Sequence, residues 1–301
     1  RELSTGPAVK IHSAIGEGCC LDYSRTWAWQ HILLSRRLAS RHNANDNVMH
    51  GNKDSDCVLL LEHAPVYTLG RGADESNLTF LEPNRQDHDE IRRKLSRKVR
   101  GPGTARLSVD RSSDDPYFDL PLSQAVERLA CSASPVVTPN DVPIYRVERG
   151  GEVTFHGPSQ LVVYPMFDLQ RSPFLKDLHW YLRMIEEVII QTLQRYGIEG
   201  KRDNENTGVW VGEDKVAAVG ISSSRWITTH GFALNVDPNL EFFDTSLILP
   251  CGIEGKGVTS MAKILRSRGD PVPSLQKVAD DVLQTMEIVF DIRFEEGDPI
   301  R

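Results

Sequence analysis

A cysteine behind a proline and a lysine after a polar turn give this sequence the chemistry of a nucleophile with its activator. Cys251 lies in Leu249-Pro250-Cys251-Gly252-Ile253. The proline holds the backbone extended and the glycine adds no bulk, so the sulfur can stand at the mouth of a loop. Lys215 follows Gly212-Glu213-Asp214 and opens the apolar run Val216-Ala217-Ala218-Val219-Gly220-Ile221. A free thiol with a pKa of about 8.5 is only a few per cent thiolate at neutral pH, and a neighbouring ammonium raises that fraction. Such a lysine can also exchange a proton during reaction. Cysteine is equally a type that proteins bury, and a lysine beside a turn is ordinarily solvated, so local chemistry leaves both alternatives open.

A second stretch, Arg149-Gly150-Gly151-Glu152-Val153-Thr154-Phe155-His156-Gly157-Pro158-Ser159-Gln160, is too specialised for ordinary strand filler. Its glycines let backbone amides approach a ligand, and Arg149, Thr154, His156 and Gln160 add polar groups. It lacks the Gly-Lys-Ser/Thr ending of a phosphate loop. Taken alone, His156 and His230 each read more readily as satisfied structural histidines. No two histidines stand at i, i+4 and no carboxylate cluster accompanies them, so no metal site is expected.

Sheets and helices must position these groups. Residues 208–221 read as a hairpin, a short strand and a longer one joined by the polar turn 212–214. Further strands are expected over Cys57–Glu62, Val66–Arg71, Ile144–Val147, Leu161–Phe167 and Trp226–Val236. The helical period places one helix from Leu21 to about Ser40, through Trp27, Ile32, Leu33, Leu34 and Leu38. A second runs from about Leu175 to Tyr196, with Leu178, Leu182, Ile185, Ile189, Leu193 and Tyr196 as one stripe and Gly197 as its stop. A third, capped by Ser274, ends near Phe290. Residues 84–140 are rich in charge and in loop formers, which predicts a partly ordered surface insertion with a short helix over 121–131. Its basic tract Arg92–Lys98 reads as solvated, or as a dock for an acidic partner. The whole implies one domain over 20–295 behind an N-terminal extension over 1–19. The start at Arg1 implies that a preceding segment was removed or left out.

The 301 residues carry a net charge of −7, which argues against nucleic acid as a partner. The apolar runs fall short of the ~20 residues that span a bilayer, so no membrane partner is expected. The five cysteines, Cys19, Cys20, Cys57, Cys131 and Cys251, are odd in number and scattered. That pattern fits a reducing compartment rather than a disulfide framework.

Five motifs in order, Leu61–Gly70, Arg149–Gln160, Lys215–Gly220, His230–Val236 and Pro250–Ile253, resemble the lipoyl(octanoyl) transferase family. Residues 177–183 and 208–211 look particularly like its cyanobacterial and plastid branch. The resemblance covers about residues 20–82 and 141–295. Ser159 departs from it, standing where the family usually has glycine, and the 84–140 insertion is longer than usual. The resemblance implies an α+β fold like that of biotin and lipoate protein ligases, with a large mixed, mainly antiparallel sheet, a smaller sheet and packed helices. It implies a transfer without cofactor. Cys251 would take an octanoyl group from octanoyl acyl carrier protein, and a lysine of a lipoyl domain would carry it away as an amide. The acceptors would be the lipoyl domains of 2-oxoacid dehydrogenase complexes and glycine cleavage H protein. Lys215 would match the family lysine that keeps the cysteine reactive. Arg149, Gly150, Gly151, Glu152, Val153, Thr154, Phe155 and His156 would line the acyl site with Ala218, Val219, Gly220, Gly231, Phe232 and Ala233. The branch likeness points to an organelle, a plastid ahead of a mitochondrion, or to the cytoplasm of a cyanobacterium. Two alternatives remain: an ATP-dependent lipoate or biotin ligase on the same fold, and a non-catalytic protein that binds acyl carrier or lipoyl domains.

Overall fold

The computed structural model describes residues 6–16, 20–43, 55–81, 86–96, 117, 120–133, 135–138, 141–248 and 256–300. Its strands are, in chain order, β1 (Ala8–Ser13), β2 (Cys20–Leu21), β3 (Cys57–His63), β4 (Val66–Leu69), β5 (Val136–Val137), β6 (Pro143–Arg146) and β7 (Val153–His156). They continue as β8 (Gln160–Met166), β9 (Lys201–Arg202), β10 (Val209–Val211), β11 (Asp214–Ser224), β12 (Ile227–Asn235), β13 (Gly257–Val258) and β14 (Arg293–Glu296). The helices are α1 (Tyr23–Asn43), α2 (Gln86–Leu95), α3 (Leu122–Ala130), α4 (Leu178–Gln194), α5 (Met261–Arg268) and α6 (Leu275–Phe290).

Among the described residues these strands form a ten-stranded and a four-stranded sheet. The larger follows the order β14-β1-β3-β8-β12-β11-β10-β9, with β2 beside β3 and β13 beside β11. Its β3–β8–β12–β11–β10–β9 part is antiparallel throughout, while β1 runs parallel to both of its neighbours. The smaller follows β5-β6-β4-β7. This is the mixed, mainly antiparallel α+β architecture that the motifs implied. β3 and β8 are apolar on both faces because both faces are covered. On one face Val58, Leu60, Leu161 and Val163 pack with Ile185, Val188 and Ile189 of α4 and Val282 and Met286 of α6. On the other, Leu59, Leu61, Val162 and Tyr164 meet Trp27 and Ile32 of α1 and Val126 of α3.

Element boundaries differ from the expectations for local reasons. α4 starts at Leu178, not Leu175, because the Asp177 carboxylate accepts from the backbone N–H groups of His179 and Trp180 at 2.8 and 3.2 Å. Leu178 is therefore exposed, and the buried stripe runs through Tyr181, Ile185, Val188, Ile189 and Leu193. α6 starts where expected, its Ser274 hydroxyl accepting from Lys277 N. α5 was not foreseen, although its Ser260 cap and its left-handed Gly269 stop are both present in the sequence.

The stretch expected as an N-terminal extension supplies β1, which lies inside the large sheet between β14 and β3. Its alternation is thin, since only Val9 and His12 are buried, so the sequence signal was weak. The described parts of 84–140 are packed against the body. Leu95 closes the core of the small sheet, and Ala125, Val126 and Leu129 of α3 face α1. Among the described residues no helix is long and apolar enough to cross a membrane. Ile189, fully buried between sheet and helices, is expected to cost about 2–5 kcal/mol of stability when replaced by alanine, measured by urea denaturation.

Candidate active site

One irregularity in the β10–β11 hairpin decides where Lys215 points. The turn closes at Gly212 with φ +61, and the strands pair as Val211 with Asp214 and Trp210 with Lys215. The next pair is Val209 with Ala217, so Val216 is an extra residue, a β-bulge. Val216 and Ala217 both turn into the core under α4, and Lys215 falls on the opposite face with Ala218 and Gly220. There it lines a cavity of about 230 Å³.

Lys215 is only 6% exposed, which removes the solvated alternative. Its Nζ stands 4.6 Å from the centre of the Trp210 ring, and Lys256 Nζ stands 4.6 Å from the same ring. The alkyl stem of Lys215 passes over Gly208, which has φ +120. A Cβ there would lie 2.6 Å from Ala217 O and 3.3 Å from Lys215 Cε, so glycine is required. Gly208 N donates to the buried Glu186 Oε1 at 3.1 Å, fastening this corner to α4. Cys251 lies outside the described residues. The chain is described again from Lys256, and β13 then runs parallel to β11 with Val258 opposite Lys215. Thr259 N donates to Lys215 O at 3.0 Å.

The two small-residue motifs meet in register on the central strands, with Ala218 opposite Ala233, Val219 opposite Phe232 and Gly220 opposite Gly231. A Cβ on Gly231 would come within 2.2 Å of Val163 O. Arg149, Gly151, Glu152, Val153, Thr154 and His156 line the cavity together with those six residues. Two expected residues do not. Gly150 instead docks the glycine loop, its N–H donating to Ile221 O at 2.9 Å. Phe155 points into the small sheet's core, stacked on Phe242 at 4.4 Å, because strand alternation sends it away from Thr154 and His156. The cavity also takes Tyr23, Tyr164, Glu205, Asn206, Thr207 and His230. Tyr164 shares the strand parity of Val162, which was the available signal. Nothing in the local sequence marked Tyr23 or the 205–207 loop.

A buried polar chain backs the cavity wall. Arg149 Nη2 donates to Thr68 O at 2.7 Å and to Thr68 Oγ1 at 2.8 Å, and Thr68 Oγ1 lies 3.3 Å from His156 Nε2. His156 Nδ1 lies 2.8 Å from Gln160 Oε1. Gln160 Nε2 is committed to Asn235 Oδ1 and Phe155 O, and Asn235 Nδ2 donates to Thr259 O at 2.9 Å. With the Gln160 oxygen facing it, His156 carries its proton on Nδ1 and accepts from the Thr68 hydroxyl. The chain thus runs from the glycine loop to the strand beside Lys215. Burial pushes His156 well below the ordinary histidine value, and the neighbouring His63 and Arg149 act in the same direction. Burial also lowers His63 to about 4, while its Nδ1 donates to Leu21 O and its Nε2 accepts from the Tyr164 hydroxyl at 2.8 Å. Behind the wall, Glu148 accepts from Trp27 Nε1 at 3.2 Å and faces His31 and His230 at 3.5 and 3.7 Å. Burial alone would raise that carboxyl, but the histidines outweigh it and hold it below the usual carboxylate range.

Ser159 shows why a glycine suits its position. Gly157-Pro158-Ser159-Gln160 closes as a turn, with Gln160 N donating to Gly157 O at 3.2 Å and Ser159 at φ +63. Positive φ after proline is the geometry that favours glycine. The serine is held there by its own N–H, which donates to Glu62 Oε2 at 2.7 Å.

Solved structures share this arrangement of sheets. Lipoate-protein ligase A bound with ATP aligns with a TM-score of 0.54 at 10% identity, over 97% of this chain and 88% of that one. A bipartite lipoate protein ligase from Thermoplasma acidophilum aligns with a TM-score of 0.53 at 11% identity, over 97% and 86%. At such identities the likeness establishes the fold alone. Residues 123–287 match the family described as lipoyl protein ligase A/B catalytic domain, and this is the class of protein that fold and sequence define. Octanoyltransferase of Gloeobacter violaceus is 35% identical over 91% of this chain and 89% of its own, and that of Nostoc punctiforme is 37% identical over 93% and 89%. The chain belongs to the lipoyl(octanoyl) transferase family and is an enzyme.

The buried histidines set an acid limit. The unfolded chain protonates His63 near 6.5, whereas the fold refuses that proton down to about 4. Stability is therefore expected to fall as pH drops through this window, by up to about 1.4 kcal/mol per unit for His63 alone. Urea denaturation at stepped pH should show that slope, and His63→Gln should flatten it.

Proposed function

We propose that the enzyme moves an octanoyl group from octanoyl acyl carrier protein to a lysine of lipoyl domains, through a thioester on Cys251. The observation that supports this best is the aim of Lys215. A bulge turns a buried ammonium into a slim cavity, next to the strand that continues from the Cys251 segment. The cavity is smaller than the range of about 300–1,000 Å³ usual for drug-sized ligands, and its small residues suit an unbranched chain. Each methylene buried there contributes roughly 0.8 kcal/mol.

In the first step the Cys251 thiolate attacks the thioester carbonyl, a new carbon–sulfur bond forms, and the carrier thiolate leaves and takes a proton from the Lys215 ammonium. In the second, the neutral amine of the acceptor lysine attacks the acyl-enzyme, its surplus proton passes to Lys215, and Cys251 leaves as thiolate. Both partners return to their starting states. Thioester exchange is nearly neutral and amide formation runs downhill, so no nucleotide is needed. Arg149, Gly151 to Thr154, His156, Ala218 to Gly220 and Gly231 to Ala233 form the acyl site in this reading, while Gly150 shapes it by docking the loop. The acceptors are the lipoyl domains of 2-oxoacid dehydrogenase complexes and glycine cleavage H protein. The single catalytic domain expected over 20–295 extends in this reading to β1, Ala8–Ser13. The location in this reading is a plastid ahead of a mitochondrion, or the cytoplasm of a cyanobacterium; the relatives named above are cyanobacterial and bear on the last of these alone.

Incubation with octanoyl acyl carrier protein alone is expected to add one octanoyl group to the protein, mapped to Cys251 by mass spectrometry and absent from Cys251→Ala. Lys215→Ala should fold normally and lower kcat/KM by about 100-fold or more. A Cys251→Ala protein that still transfers free octanoate with ATP would establish a ligase instead.

A further inference from the structure

The Trp210 ring is shared by two ammonium groups, and the chemistry above uses only one. Lys256 Nζ approaches the ring as closely as Lys215 does, and it also donates to Asp203 Oδ2 at 2.5 Å. The other oxygen of Asp203 accepts from Glu205 N, Asn206 N and Asn206 Nδ2 at 2.9, 2.9 and 3.0 Å. That single carboxylate therefore folds the loop whose residues 205–207 form one rim of the cavity. Trp210 Nε1 donates to Asn206 O at 3.3 Å, closing the circuit back to the ring. On its other side Lys256 leads directly into β13, which pairs with Asp214 and Lys215.

We propose that Lys256 and Asp203 form a charge-balancing pair that positions and tunes Lys215 through the Trp210 ring. The geometry makes the balance specific. Two cations on one aromatic ring compete for its electron density and repel each other, and a carboxylate beside one of them offsets that repulsion. Asp203 supplies that carboxylate to Lys256 and holds its ammonium above the ordinary lysine value. Among the described residues that line the cavity with Lys215, Glu152 accepts from Asp74 N and Asn77 Nδ2, while burial lowers His156 and His230 and raises Tyr23 and Tyr164, which keeps these four neutral. Glu213 faces Lys201 at 3.6 Å, and Arg202 is bound to Glu186 and Glu187. Arg149 is held by Thr68, Asp214 sits under Gly257, and Glu205 is on the rim. Glu213 and Glu205 add smaller attractions to Lys256, and among the described residues the Lys256–Asp203 pair is the charge set that one substitution unbalances in either direction.

The inference rests on Lys215 as the amine that handles the proton. Octanoyl transfer measured against pH on the full chain tests it, with thermal melts to confirm folding. Lys256→Met leaves the Asp203 carboxylate facing the ring, so Lys215 keeps its proton longer and the alkaline limb of kcat moves up by about half a pH unit. Asp203→Asn leaves two ammonium groups on one ring, so that limb moves down by about as much. Lys256→Arg and the double variant Lys256→Met/Asp203→Asn restore the wild-type profile. Mere loosening of the loop would move both single variants the same way. Shifts of one sign, or none in either variant, overturn the inference even where Lys215→Ala is inactive. Full activity in Lys215→Ala removes the reading of Lys215 itself, and the inference with it.

Discussion

Burying the cationic side chain of Lys215 beside the proposed acyl cavity is the constraint on which the rest of this structure depends. Taking such a charge out of water costs several kcal/mol unless other groups replace the solvent. Around Lys215 four features make up the replacement, drawn from the 208–210 segment, β13 and the start of β11. Trp210 offers an aromatic face, Gly208 leaves room for the alkyl stem, β13 covers the backbone, and the bulge at Val216 keeps the neighbouring apolar side chains in the core. A regular strand with the same sequence would have placed Lys215 and Ala217 on one face, forcing either the charge into the core or an alanine out of it.

The opposite wall solves a different problem, which is how to bury several polar side chains without leaving them unsatisfied. Arg149, Thr68, His156, Gln160, Asn235 and the Thr259 carbonyl do so as one continuous chain of donors and acceptors. Such a chain holds each member in one rotamer and one protonation state. It also ties the small sheet, which carries Thr68 and His156, to the large sheet, which carries Gln160 and Asn235. The cavity lies along this seam, so its width is set by hydrogen bonds as well as by packing.

Large parts of the fold were legible because they rest on local chemistry. β3 and β8 announce themselves as unbroken apolar runs, α6 by its serine cap, and the 208–221 hairpin by its polar turn. The errors came where a side-chain cap or a distant partner decided the outcome. Asp177 rather than the apolar stripe starts α4, and β1 becomes a strand only because β14 and β3 lie on either side of it. In the site, motif order identified most cavity residues but not the orientation of Phe155 or the docking role of Gly150. Tyr23 and residues 205–207 were invisible because a helix start and a polar loop carry no mark of what they will face.

The sequence by itself determined the family and the fold class, since these follow from residue types in a fixed order, and it nominated Lys215 and Cys251 for the proposed acyl transfer. Only the tertiary structure decided which way Lys215 points, that Trp210 shares its ring with Lys256, and which side chains close the cavity. Side-chain direction on a strand depends on register, and register is set by pairing between segments that no local stretch of sequence contains.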